Sequence, residues 1–157
     1  MNLKKTIQDP LIKGGLAGAI AGSVMEIINL PFYYLKILKI RPIDFSYMVV
    51  THKKAQTLLE MIVGLINHLL FASLSGIILS LVLLKTNYQS PILKGISLGL
   101  GTNIILLALG SFFNIKPVIN ITPFNILLLD LSAALPFGLT LALILNFFHT
   151  KFDQPIK

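Results

Sequence analysis

Lys13-Gly14-Gly15-Leu16-Ala17-Gly18-Ala19-Ile20-Ala21-Gly22-Ser23-Val24-Met25-Glu26 is the stretch that decides the fold. A small residue recurs at every fourth position, Gly14, Gly18 and Gly22, and the row runs into a carboxylate, Glu26. Residues four apart share one ridge of an α-helix. The surrounding run from Pro10 to at least Leu30 is apolar and meets the length of about 20 residues that crosses a bilayer. Lipid supplies no hydrophobic drive between helices, so such rows of small residues let two backbones approach closely.

The rest of the chain repeats the theme. It has 157 residues, 55% hydrophobic and 12% charged, with mean hydropathy +0.84. Soluble domains carry about a quarter charged residues. Further long apolar segments cover 55–84, 91–114 and 122–148, and the first is expected to continue past a kink at Pro31 to about Leu38. The expected fold is therefore all-α: a polytopic membrane protein with four transmembrane helices in a single domain over 1–157. Localisation is read as integral to a membrane, the bacterial inner membrane.

Local signals set the borders. Asp9-Pro10 and Thr122-Pro123 each combine a capping side chain with a proline suited to the first turn. Phe32, Tyr33 and Tyr34 suit the headgroup interface. The connection 36–54 holds Lys36, Lys39, Arg41, Lys53 and Lys54, and its apolar segment at 42–50 is too short to span, so it is expected to lie at the interface or re-enter. Met1 to Pro10 carries Lys4 and Lys5, but no small-residue cleavage site follows, so the start is read as retained. Lys and Arg near the span ends number seven on the side of the termini and six on the other, which sets no orientation. Lys4 and Lys5 lean it toward cytoplasmic termini.

A weak internal repeat joins the halves. Pro10-Leu11-Ile12-Lys13-Gly14 is matched by Pro91-Ile92-Leu93-Lys94-Gly95, and Gly14 and Gly18 by Gly95 and Gly99. Ala72 and Gly76 resemble Ala134 and Gly138 in setting. Two tandem helical hairpins related by an axis along the membrane normal are expected. The packing residues are then Gly14, Gly18, Gly22, Gly76, Gly95, Gly99 and Gly138.

The four-step rows also carry polar groups: Glu26 in the first helix, Glu60 and His68 in the second, Asn103 in the third and Asp130 in the fourth. An ionised side chain facing lipid costs about 2.5–3.5 kcal/mol or more, so these groups are expected to face protein. At 1.5 Å per residue, Glu26, His68, Asn103 and Asp130 fall within roughly 7 Å of the midplane and are expected to form one polar layer that binds a ligand or protons. Each has a plainer role. Glu26 can be a neutral acid bonded to another helix, and Asn103 an interhelical bond. Glu60 is expected nearer the surface, paired with Lys53 or Lys54. His52 and His149 read as surface residues. Pro136 removes the helical bond to the Ser132 carbonyl, and the freed oxygen near Asp130 is a candidate ligand for an ion.

Several chemistries lack support. There are no cysteines, which excludes disulfides and thiolate chemistry. No HExxH, ExxH or His pair at four-residue spacing marks a metal site, a haem would rest on His68 alone, and no G-x-S-x-G is present. No cofactor is expected, and the chain does not read as an enzyme. The net charge of +7 sits beside membrane helices, where cations meet anionic headgroups, so nucleic acid is not an expected partner. Asn120-Ile121-Thr122 matches a glycosylation sequon, but Pro123 follows and Thr122 reads as a cap. The partners expected are the bilayer, and a second copy or another membrane protein.

Gly14 to Gly22 with Met25 resembles the first helix of small bacterial membrane proteins of the YqhR/YagU kind, which also have about four expected spans. That resemblance implies a four-span fold and no particular activity. A carboxylate in the first of four helices is also similar to that of small multidrug exporters, by analogy only. The residues leave two functions open: binding or transport of a small polar or cationic ligand or protons, or an accessory subunit that docks a partner through its glycine-rich faces.

Overall fold

Asp9 caps the first helix through its side chain, which accepts the Leu11 N–H at 2.8 Å, with Pro10 in the first turn. The helix, α1, runs Pro10–Tyr34. The computed structural model describes residues 9–153, without the side chains of Pro117, Phe152 and Asp153. The basic tail with Lys4 and Lys5, and Lys157, lie outside the described residues.

α1 does not reach Leu38 as expected. Pro31 leaves it intact, and the stop comes three residues later. Lys36 takes a left-handed conformation (φ 59°), its N–H bonds the Tyr33 carbonyl, and the Ile37 N–H bonds the Phe32 carbonyl, both at 2.9 Å. This is a Schellman closure built without the usual glycine. The third span, α4 (Pro91–Phe112), ends the same way: Asn114 is left-handed (φ 54°) and the Ile115 N–H reaches Gly110 O at 2.9 Å.

Between them, α2 (Pro42–Thr51) fills the short apolar segment, and α3 (Leu58–Lys85) is the second span. α3 begins at Leu58, later than the expected position 55, because Thr57 and Glu60 form a capping box. Glu60 Oε2 accepts the N–H groups of Gln56 (2.7 Å) and Thr57 (2.9 Å), so its carboxylate serves the helix start, where Lys53 or Lys54 was the expected partner. After α4, α5 (Lys116–Ile119) is a single turn. The last span is composite: α6 (Pro123–Leu129), a π-helical turn at Asp130–Ala134, and α7 (Leu135–Phe148). Pro136 has no N–H for the Ser132 carbonyl, and the wider turn is where the ladder is interrupted. No strand occurs among the described residues.

Four helices are thus long and apolar enough to cross a membrane, and the chain is an integral membrane helix bundle. Large side chains such as Ile27, Leu58, Leu70, Leu93 and Ile104 point outward, where acyl chains cover them. α1 packs most extensively on α3, and α4 on α7, so the spans form two hairpins in tandem. α2 packs along α3 on the side where α1 ends. Phe45 and Met48 of α2 meet Ile115 and Val118 around α5 in a buried cluster.

Candidate functional site

The helices of each hairpin touch through their smallest residues. A Cβ placed on Gly14 would lie 2.5 Å from the Ile77 Cα. One on Gly18 would run into the Ala72 carbonyl, and one on Gly76 into the Gly14 carbonyl. On Gly22 it would meet the Ala72 Cβ at 2.8 Å and His68 Nε2 at 3.4 Å. In the second hairpin, Gly95 and Gly138 face each other's carbonyls, and Gly99 faces that of Ala134. Contacts under 3.0 Å leave room for hydrogen only.

These contacts correspond position by position. Gly14, Gly18 and Gly22 take the places of Gly95, Gly99 and Asn103; His68, Ala72 and Gly76 those of Asp130, Ala134 and Gly138. The polar residues sit one turn beyond the small ones, and each hairpin holds one couple there. In the first, His68 Nε2 is 3.3 Å from Gly22 O and 3.8 Å from Glu26 Oε1. In the second, Asn103 Nδ2 donates to Asp130 Oδ1 at 2.7 Å. The four residues expected in one layer thus pair within their own hairpins. His68 and Asn103 line the same cavity, with Glu26 and Asp130 bonded or packed behind them.

Glu26 stands out. It is 6% exposed; neither carboxylate oxygen has a hydrogen-bond partner within 3.5 Å, and the Ile43 backbone N–H in the first turn of α2 faces it. A buried carboxylate without donors is costly as an anion. A proton, an imidazolium at His68 or a cationic guest would relieve that cost, and the Ile43 N–H and the Arg41 charge already offset part of it. Arg41 adds a fixed positive charge nearby. It donates from Nε and Nη2 to the Asp44 carboxylate at 3.1 and 2.9 Å, and its guanidinium stacks 4.4 Å from the Tyr33 ring centre. Those hydrogen bonds, together with the Asp44 charge, hold the guanidinium above its ordinary range against the opposing effect of burial. Lys54 closes the group, 3.8 Å from Asp44 and donating to Tyr33 Oη and the Lys39 carbonyl.

The Ser132 carbonyl freed by Pro136 is not open to an ion. Asn29, fully buried, donates to it at 2.9 Å, and the Ser132 hydroxyl, which donates to the Leu128 carbonyl at 2.6 Å, shares that hydrogen with Asn29 Oδ1 at 3.2 Å. Asn29 thus ties α1 to the last span. Among the described residues no three of His, Asp and Glu converge as a metal site. His52 and His149 are at the ends of the bundle. His52, left-handed, caps α2, and His149 stacks on Tyr88 at 3.7 Å.

The cavity, of about 70 Å³, lies between the hairpins and reaches from α2 to the small-residue crossing. One water needs about 10–15 Å³ on this measure, so there is space for several waters or a small organic group. Its walls are mostly apolar, with Met25, Phe45, Phe71, Leu106 and Phe137, and its polar residues are Arg41, Ser46, His68, Thr102 and Asn103.

No protein-family model, curated protein or solved structure matches the chain, so its function is read from this geometry. Asn29 and Asp44 are buried polar residues that the sequence does not single out. Asn29 lies three residues past Glu26, off the four-step ridge, yet an amide inside an apolar helix is a signal in itself. Asp44 is signalled by its spacing of three from Arg41 across Pro42 at a helix start.

Proposed function

We propose that the chain binds a small molecule in the cavity between its hairpins and that binding is linked to a proton at Glu26 and His68. The observation that carries this reading is Glu26: buried, with no hydrogen bond within 3.5 Å, and 3.8 Å from an imidazole that lines the cavity. A guest that approaches His68 changes which of its neighbours the Nε2 atom serves, Gly22 O or Glu26, and so changes the site's protonation. The apolar walls favour a guest with an apolar body over a bare inorganic cation. The proposed setting is a bacterial inner membrane.

The glycines Gly14, Gly18, Gly76, Gly95, Gly99 and Gly138 are turned toward one another within the chain. This supports their use as small-xxx-small packing inside the bundle, and with it the binding reading over docking of a partner subunit.

The test is infrared difference spectroscopy of the purified protein in nanodiscs during a pH change. A protonated-carboxyl stretch that disappears in Glu26→Gln, with the helical content unchanged, is expected. A spectrum identical in Glu26→Gln and the parent protein would sink the reading.

A further inference from the structure

The hairpins correspond, so two seams between them should be equivalent: α1 against α7, and α4 against α3. They are not alike. α1 lies along α7 and the π turn over a long contact, whereas α3 and α4 meet sparsely. The cause is visible in the side chains. Asn29 and Ser132 bond across the first seam. Their counterparts by the same correspondence are Gly110 and Leu70; Gly110 packs on Val118, and Leu70 is 60% exposed toward lipid. One seam is pinned by an amide, and the other has no such link among the described residues.

The cavity lies between the hairpins; α3 and α4 supply His68, Phe71, Thr102 and Asn103 to its wall, and Met25 and the last span close its other side. Matched positions of both hairpins line it, Met25 with Leu106, Phe71 with Ala133 and Ala72 with Ala134, which places it where the repeats meet. Sites at repeat interfaces near mid-membrane are a recurrent arrangement. Toward the aqueous face, α2 and α5 close over it through the cluster of Phe45, Met48, Ile115 and Val118, braced by the Arg41–Asp44 pair. Toward the bilayer, Phe71 both lines the cavity and is 37% exposed among the lipid-facing residues of α3.

We infer that the cavity opens sideways between α3 and α4 and takes its occupant from the bilayer. That occupant is a membrane-dissolved molecule with an alkyl or aryl body and one hydrogen-bonding group, the body against Met25, Phe71 and Phe137 and the polar group at His68, Thr102 and Asn103. This rests on the ligand-binding reading above.

The chain has no tryptophan, so one introduced indole reports alone. Phe137→Trp places it in a wall residue that is 5% exposed, and Leu129→Trp is a second wall reporter should the first not fold. The protein in nanodiscs is titrated with a membrane-dissolved alkyl bromide, and separately with iodide in the buffer. Saturable loss of most of the emission with the alkyl bromide, and none with iodide, is expected. Quenching by iodide, with or without the bromide, would overturn lateral entry while leaving the ligand-binding reading standing. Quenching by neither would overturn both.

Discussion

The two seams between the hairpins differ more than the hairpins themselves. Within each hairpin, glycine and alanine set the approach at matched positions. Between the hairpins, one seam has the Asn29–Ser132 contact, while the other is sparsely packed where the cavity between the hairpins reaches α3 and α4. Each hairpin has its own polar couple, and only the α1–α7 seam adds the Asn29–Ser132 contact between hairpins among the described residues. A bundle held this way is tight where the amide sits and free to accommodate a guest opposite it.

The largest expected effect breaks a hairpin. Gly18→Leu drives a side chain into the Ala72 backbone, where nothing flexible can yield, and should cost at least about 3 kcal/mol, the upper end of the overpacking range. Reversible unfolding in mixed micelles measures it, and a variant as stable as the parent would mean the helices are not held at this distance. A smaller effect addresses the pinned seam. Asn29→Leu leaves the Ser132 carbonyl without its donor and should cost about 1–3 kcal/mol by the same assay. It should also loosen α1 from α7 in hydrogen exchange and leave the α1–α3 contact protected. The smallest effect has the opposite sign. A methyl group added at Gly101 would meet nothing within 4 Å, so Gly101→Ala should stabilise α4 by about 0.5–1 kcal/mol. A loss there would show that α4 is packed against something on that face.

Much of the fold was legible because its signals are local. Asp9-Pro10 and Thr122-Pro123 open helices where the capping chemistry says they should, with Thr122 Oγ1 accepting the Asn125 N–H at 3.3 Å. The four spans followed from length and hydropathy. The end of α1 was not legible, because a lysine in the left-handed region at Lys36 has no sequence signature; the contacts around it choose that conformation. The grouping of polar residues was half legible. Depth along a helix can be counted, and it placed Glu26, His68, Asn103 and Asp130 at one level. Which of them meet depends on helix rotation. Carrying the repeat one turn further, from Gly18 to Gly22 and from Ala72 back to His68, would have aligned Gly22 with Asn103 and His68 with Asp130, and so pointed to a couple in each hairpin. The fate of the Ser132 carbonyl depended on a side chain from another helix, Asn29, which no local pattern in the last span reveals.

The unequal seams can be measured directly, since a chain without cysteine accepts spin-label pairs without background. Ile27→Cys with Leu131→Cys spans the pinned seam, and Leu70→Cys with Ile104→Cys the loose one; all four side chains point to lipid. Pulsed electron paramagnetic resonance in nanodiscs should give a narrow distance distribution for the first pair and a broader one for the second. Equal widths, or a broader distribution across α1 and α7, would contradict the account.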